Sequence, residues 1–230
     1  MEEKGRLVCV VPVYNESDLI VNTIESLKKI DLIDEIVVVN DGSQDNTLEV
    51  INSLDVSVIN LEKNCGKGYA MRKAIETLKY DYIAFIDGDL GESSIQTEKL
   101  ILPVINGEVD VSIAKFSDRS TMTNTKGGFG IVKRFAKSGI YFFTKKEIDT
   151  SLSGQRVYKK QVIEKMNYIP DRYGIEVAMT IQTINNGFSI MEVPVTMNHR
   201  YSQRNLQGFI HRGKQFIDIL KTFIVMYFRG

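Results

Sequence analysis

A chain of 230 residues with 43% hydrophobic content has the size and composition of one α/β domain with a substantial core, which excludes a disordered segment. Lysine plus arginine equals aspartate plus glutamate at 29 each, so no global basic field marks a nucleic-acid binder and no nucleic-acid partner is expected. Cys9 lies in an apolar run and Cys65 in a glycine-flanked loop, which is no disulfide framework. The acidic start is not a signal peptide and no run of about eighteen apolar residues would span a membrane, so a cytoplasmic protein is expected.

Residues 6–11 form a predicted first strand stopped by Pro12. Ser17 is placed to cap a helix to about residue 30 through Leu19, Ile20, Ile24 and Leu27. A second strand covers 35–40, followed by Asp41-Gly42-Ser43 and a helix over about 46–54, and a third strand covers 56–61. Asn64-Cys65-Gly66-Lys67-Gly68 opens a helix through Ala70, Ala74, Ile75 and Leu78. The fourth strand, Tyr82-Ile83-Ala84-Phe85-Ile86, runs into Asp87-Gly88-Asp89. Then come a fifth strand at 109–114, a polar loop at 115–130 long enough to be functional or mobile, and a helix at about 131–144. A short strand at 154–158, a helix at 173–186, a last strand at 188–195 and a long amphipathic helix at 209–228 complete the chain. Strands alternating with helices imply right-handed crossovers and a mainly parallel central sheet flanked by helices, in a single domain over 1–230.

In such sheets ligands bind at the C-terminal ends of the strands. Each of the first four strands ends in a polar signature: Tyr14-Asn15-Glu16, Asp41-Gly42-Ser43, residues 64–68, and Asp87-Gly88-Asp89. Alternation along an extended segment sends Asp87 and Asp89 to the same side. Two such carboxylates suit Mg²⁺ or Mn²⁺, which keeps positions for phosphate oxygens, and the small Gly88 lets those oxygens come close. Asp-Gly-Asp alone is also a common turn, but four signatures on one rim favour a binding site over four unrelated turns. Between residues 115 and 146, eight basic residues, Arg119 and Lys126 among them, face one acid, Asp118. That excess points to an anionic ligand, a solvated basic face being the alternative.

Val11-Pro12-Val13-Tyr14-Asn15-Glu16, residues 34–47, Gly66-Lys67-Gly68-Tyr69-Ala70 and Asp87-Gly88-Asp89 resemble, in order and spacing, the motifs of family 2 glycosyltransferases of the GT-A fold, over about the first 115 residues. The resemblance implies a Rossmann-like nucleotide-diphospho-sugar transferase fold in which 1–115 binds the nucleotide sugar and 116–230 the acceptor. It implies that Pro12, Tyr14 and Glu16 line the nucleotide site, that Asp41 accepts a hydrogen bond from uracil N3, that Lys67 approaches the diphosphate, and that Asp89 with Asp87 holds the metal. Asn40 stands where that family usually has a second aspartate. Ser153-Gly154-Gln155-Arg156-Val157-Tyr158 resembles a segment of polyprenyl-phosphate sugar transferases and implies Arg156 at a phosphate. Tyr173-Gly174-Ile175-Glu176 and His199-Arg200 resemble glucosyl-3-phosphoglycerate synthases, which implies His199 as a further metal ligand, Glu176 reaching the acceptor and Arg200 at a phosphate. Where that branch carries an arginine-containing polar segment, this chain has Phe129-Gly130-Ile131-Val132.

In glycosyl transfer negative charge builds on the departing diphosphate, and a metal ion with a lysine or arginine stabilises it. A hydroxyl acceptor needs a carboxylate to take its proton, for which Asp171 and Glu176 are the candidates; Asp171 is equally suited to cap the next helix. A phosphate acceptor needs no strong base. The chain has no tryptophan, hence no QxxRW motif of processive members. The leading expectation is metal-dependent transfer from a UDP-sugar to polyprenyl phosphate, with a small phosphorylated acid as the alternative acceptor. A non-catalytic sugar-nucleotide-binding module is the alternative of another class, against which the intact carboxylates argue. The helix at 209–228 carries Phe209, Phe216, Ile217, Leu220, Phe223, Ile224 and Phe228 near one face, with Arg212, Lys214, Lys221 and Arg229 interspersed. Such a helix either packs on the core or lies in a membrane interface, and the basic helix before it favours peripheral contact at the inner face of the cell membrane. A second copy of the chain is a further candidate partner.

Overall fold

The computed structural model describes residues 5–116, 129–197 and 206–229. Its centre is a seven-stranded sheet of β1 (Leu7–Val13), β2 (Glu35–Asn40), β3 (Ser57–Asn60), β4 (Tyr82–Phe85), β5 (Val111–Phe116), β6 (Arg156–Lys159) and β7 (Ile190–Val195), in the order β3-β2-β1-β4-β6-β5-β7. The helices are α1 (Ile20–Leu27), α2 (Thr47–Asn52), α3 (Lys67–Thr77), α4 (Thr97–Ile105), α5 (Phe129–Thr144), α6 (Lys160–Glu164), α7 (Ile175–Asn185) and α8 (Leu206–Arg229). On one face of the sheet Leu7, Cys9 and Val11 join Ile24, Leu27, Leu100 and Ile101. On the other, Val8 and Val10 join Ala70, Met71, Ala74 and Met179. This double burial is why β1 is an unbroken apolar run rather than an alternation.

The structure departs from the sequence expectations at several places, among them the short helix α6, which has no predicted counterpart. β1 continues through Pro12, which is in register with Val39 of β2. The amides at even positions of β1 face β4, as the bond from Ile86 N to Val10 O (3.0 Å) records. β4 pairs only as far as Val10, so the missing N–H of Pro12 strands no partner. α1 starts at Ile20 without a side-chain cap, and Ser17 hydrogen-bonds Asp45 instead. α4, preceded by a 3-10 turn over Gly91–Gln96, has no counterpart among the predicted elements, because Pro103 interrupts its apolar pattern. Finally, β6 runs antiparallel to both β4 and β5. A reversed strand sets its first residue, Arg156, beside Phe85 at the end of β4. The residues before Arg156 therefore meet those after Phe85.

A third apolar cluster joins α5, α7 and α8 through Val132, Ala136, Ile140, Val177, Ile181, Ile219 and Phe223. Phe135 of α5 packs against Phe216 and Phe223 of α8 with ring centroids 4.5 and 5.3 Å apart. The opposite side of α8 leaves Ile217, Leu220, Ile224, Tyr227 and Phe228 exposed. The helix is thus apolar on two faces, one packed and one open; the side chains of Phe209 and Arg212 lie outside those described. Among the described residues no helix is long and apolar enough to cross a membrane.

Candidate active site

The strand ends converge on one rim because each loop is fastened by the next. Asn15, with φ of 56°, donates its N–H to Ser43 Oγ (3.0 Å), while its Oδ1 accepts from Gln44 N (2.8 Å). Glu16 N donates to Thr47 Oγ1 (2.8 Å). Tyr14 is exposed at this edge and Pro12 and Glu16 are half-buried. Asp41 is only 3% exposed, and its two oxygens accept the backbone N–H groups of Cys65 and Gly66, both at 2.8 Å. Burial raises the Asp41 pKa against the lowering effect of those two bonds. Each oxygen keeps a second lone pair for a ligand. Asn40 is buried and is used up locally, donating to Asn60 Oδ1 (2.7 Å) and accepting from Ser43 N (3.2 Å).

Lys67, at the start of α3, bridges Asp87 Oδ1 (2.6 Å) and Glu176 Oε1 (3.3 Å). Burial alone would lower its pKa, but the charges of Asp87 and Glu176 outweigh it and raise it, so the group stays an ammonium. Asp87 Oδ2 also accepts from Gln155 Nε2 at 2.5 Å. Asp89 is half-buried two residues on, in a turn rather than in extended strand, so alternation along β4 does not set its direction. That turn is held from below by Thr23 of α1, whose hydroxyl donates to Gly88 O and accepts from Gly91 N, both at 2.8 Å. Gly88 corrects another expectation. A Cβ there would lie 2.7 Å from Val13 Cγ1, so packing on β1 requires the glycine, not the approach of a phosphate.

The remaining expected residues divide. Glu176 joins the cluster with its side chain 14% exposed. Asp171 does not: it is 54% exposed and paired with Arg72 Nη1 at 2.7 Å, and its segment closes on the glycines of the Lys67 loop. A Cβ on Gly68 would lie 1.9 Å from Pro170 O. Arg156 is 1% exposed, so it corrects the expectation of a phosphate ligand: the guanidinium is turned into the fold. Arg119, Lys126, His199 and Arg200 lie outside the described residues. Of the other bases in the 115–146 excess, Lys115 and Lys137 are matched by Asp149 at 2.9 and 2.7 Å, whose pKa their hydrogen bonds and charges pull down to about 2.

Gln155, Gly154 and Thr23 are site residues that motif reading did not assign. A Cβ on Gly154 would lie 2.3 Å from Lys67 Nζ and 2.9 Å from Asp87 Oδ2. The donor set fits a hard divalent ion: Asp87 and Asp89 offer only oxygens, and a cationic group, the Lys67 ammonium, already sits on Asp87. Among the described residues no group of three or more candidate ligands assembles, and His199, the expected further ligand, lies outside them.

Comparison with known proteins bears on the family and the fold. A model of the family described as glycosyl transferase family 2 matches residues 8–166. An uncharacterised protein of Methanocaldococcus jannaschii is 30% identical over 86% of this chain and 84% of its own length. The bactoprenol glucosyl transferase of Shigella phage SfX is 30% identical over 73% of this chain, which spans 56% of that protein's length. Among solved structures, glucosyl-3-phosphoglycerate synthase from Mycobacterium tuberculosis in complex with UDP superposes with a TM-score of 0.80 at 21% identity, over 96% of this chain and 79% of that one. The same enzyme with Mn²⁺, UDP and glucosyl-3-phosphoglycerate gives 0.76 at 23%, over 95% and 80%. At these identities the structural likeness speaks for the fold, and the family match over well more than half of the sequence speaks for descent. The chain belongs to glycosyl transferase family 2 and is a glycosyltransferase of the GT-A fold.

Proposed function

We propose that the chain moves a sugar from a nucleotide-diphosphate sugar, with UDP-sugar the expected donor, to a phosphate oxygen of polyprenyl phosphate at a membrane surface. The observation that carries the acceptor side is the engagement of both candidate bases, Glu176 with Lys67 and Asp171 with Arg72. A hydroxyl acceptor would need one of them to take a proton, whereas a phosphate brings an oxygen already charged. The acceptor oxygen forms the new bond to the anomeric carbon as the bond from that carbon to the diphosphate breaks, and the nucleotide leaves with the electron pair. Asp87 and Asp89 would hold a divalent ion, which supplies positive charge against that diphosphate. Lys67 is the neighbouring ammonium placed to share the task, and Asp41 with the exposed Tyr14 would receive the base.

The membrane side rests on surface chemistry. Among the described residues, eight of the twelve exposed large hydrophobic ones lie on α5 and α8: Ile131, Tyr141, Phe142, Ile217, Leu220, Ile224, Tyr227 and Phe228. Lys133, Arg134, Lys145, Lys214 and Lys221 are exposed on the same two helices or at their ends. Apolar side chains among bases suit an anionic bilayer. The name of the bactoprenol relative supports an acceptor of the same class.

The test offers labelled UDP-glucose and Mn²⁺ with undecaprenyl phosphate in one tube and 3-phosphoglycerate in another, beside sedimentation with anionic vesicles. Label in the lipid phase and co-sedimentation are expected. Label only in the acid, with no vesicle binding, would select the small-acid acceptor. Neither transfer nor donor hydrolysis would favour the non-catalytic module.

A further inference from the structure

Beneath the site lies a charge that the proposed reaction leaves unused. Arg156 opens β6 opposite Phe85, two residues before Asp87, and is 1% exposed. Its Nε donates to Ser153 O (2.7 Å), and its Nη1 donates to Glu176 O (3.0 Å), Thr180 Oγ1 (2.8 Å) and Tyr158 OH (3.2 Å). All four partners are neutral oxygens. Nη2 is buried and has no hydrogen-bond partner among the described residues. An apolar side chain of similar volume would fill such a place at lower cost, so packing alone does not account for an arginine here.

The partners suggest what does. Ser153 belongs to the turn that carries Gln155 to Asp87, and Glu176 and Thr180 are successive turns on one face of α7. Thr180 Oγ1 also donates to Glu176 O (2.7 Å), so the carbonyl of the residue that meets Lys67 is gripped twice. Arg156 therefore joins the two segments that approach the Lys67–Asp87 pair from different parts of the chain.

We propose that Arg156 is a positioning residue, clamping the turn at Ser153 to the first turn of α7 and so fixing Gln155 on Asp87 and Glu176 on Lys67. A guanidinium reaches both segments at once because its donors lie in a rigid fork, and the single ammonium of a lysine does not. The inference rests on Asp87, Lys67 and Glu176 forming the reacting centre, and it replaces the phosphate contact that the Arg156 motif implies.

Wild type, Arg156→Met and Arg156→Lys would be compared by hydrogen exchange, by melting temperature and by calorimetric binding of UDP with Mn²⁺. Both variants are expected to exchange the amides of the first two turns of α7 about tenfold faster, with β1 and β2 unchanged and UDP affinity kept within about twofold. In transfer assays kcat falls while the donor KM stays. Arg156→Lys, which keeps the charge, does not rescue either readout. Thr180→Val removes one acceptor of the clamp and gives the same pattern at smaller size, which covers the case in which Arg156→Met does not fold. Wild-type exchange of α7 in these variants overturns the proposal, as does a loss of protection spread evenly over sheet and helices. A parallel loss of UDP affinity also overturns it, by placing Arg156 on the donor side. Failure of the wild type to bind UDP with Mn²⁺ would count against the functional reading instead, since the exchange experiment needs no activity.

Discussion

From β1 to β4 the candidate site residues stand one after another at strand ends, each fastened by the next loop: Asn15 by Ser43 and Gln44, Asp41 by Cys65 and Gly66. On the far side of Asp87 the groups come from remote places, Gln155 ahead of a reversed strand and Glu176 in α7, and they are fastened through Lys67 and Arg156. One half of the site is a rim laid out by chain order, and the other is assembled by tertiary contacts alone. Changes on the rim should therefore act on donor binding, and changes on the assembled side on the rate of transfer.

The comparison is tested hardest at Asp87, where the halves meet. Asp87→Ala removes a carboxylate for the metal and the shared partner of Lys67 and Gln155, so transfer should fall by about 10³-fold or more in steady-state assays. A loss below about tenfold would remove Asp87 from the chemistry. Gly154→Ala comes next. The added methyl would displace the flexible Lys67 ammonium, so stability should change by less than about 1 kcal/mol while transfer falls about 10- to 100-fold. An unchanged rate would show that Lys67 can work from elsewhere.

On the rim itself, Thr23→Val leaves Gly88 O and Gly91 N without the buried hydroxyl between them and should cost about 1–3 kcal/mol in urea denaturation. A cost below about 0.5 kcal/mol would mean that the Asp87–Asp89 turn does not depend on α1. The smallest effect concerns pH. Because the Asp41 pKa is raised in the fold, its contribution to stability is complete below the ordinary value of 3.8 and is lost as pH rises through the raised value. Asp41→Asn should flatten the decline in denaturation midpoint as pH rises above that ordinary value. A steeper decline in the variant would reverse the assignment.

The same contrast decides what the sequence discloses. β2 keeps the predicted bounds of 35–40, and the four polar signatures fall where strand ends put them, because turn residues and apolar runs are local signals. Gln155 and Gly154 were legible only as part of a motif. What gives them a role is the reversal of β6, which depends on pairing Arg156 with Phe85 from a distant part of the chain and leaves no periodic trace. Arg156 misled for the same reason: an arginine in a polar motif suggests an anion outside, and only the packing of α7 turns it inward. α8 could not be assigned to core or surface by its pattern, since Phe216, Ile219 and Phe223 pack inward while Ile217, Leu220 and Ile224 do not.

The central claim is that the rim holds a nucleotide diphosphate through a divalent ion on Asp87 and Asp89. It is tested most directly by calorimetric titration of UDP into the protein with Mn²⁺ and with EDTA. The account predicts affinity at least about tenfold higher with Mn²⁺, a difference that disappears in Asp89→Ala. Equal affinity for UDP in the two buffers would contradict it.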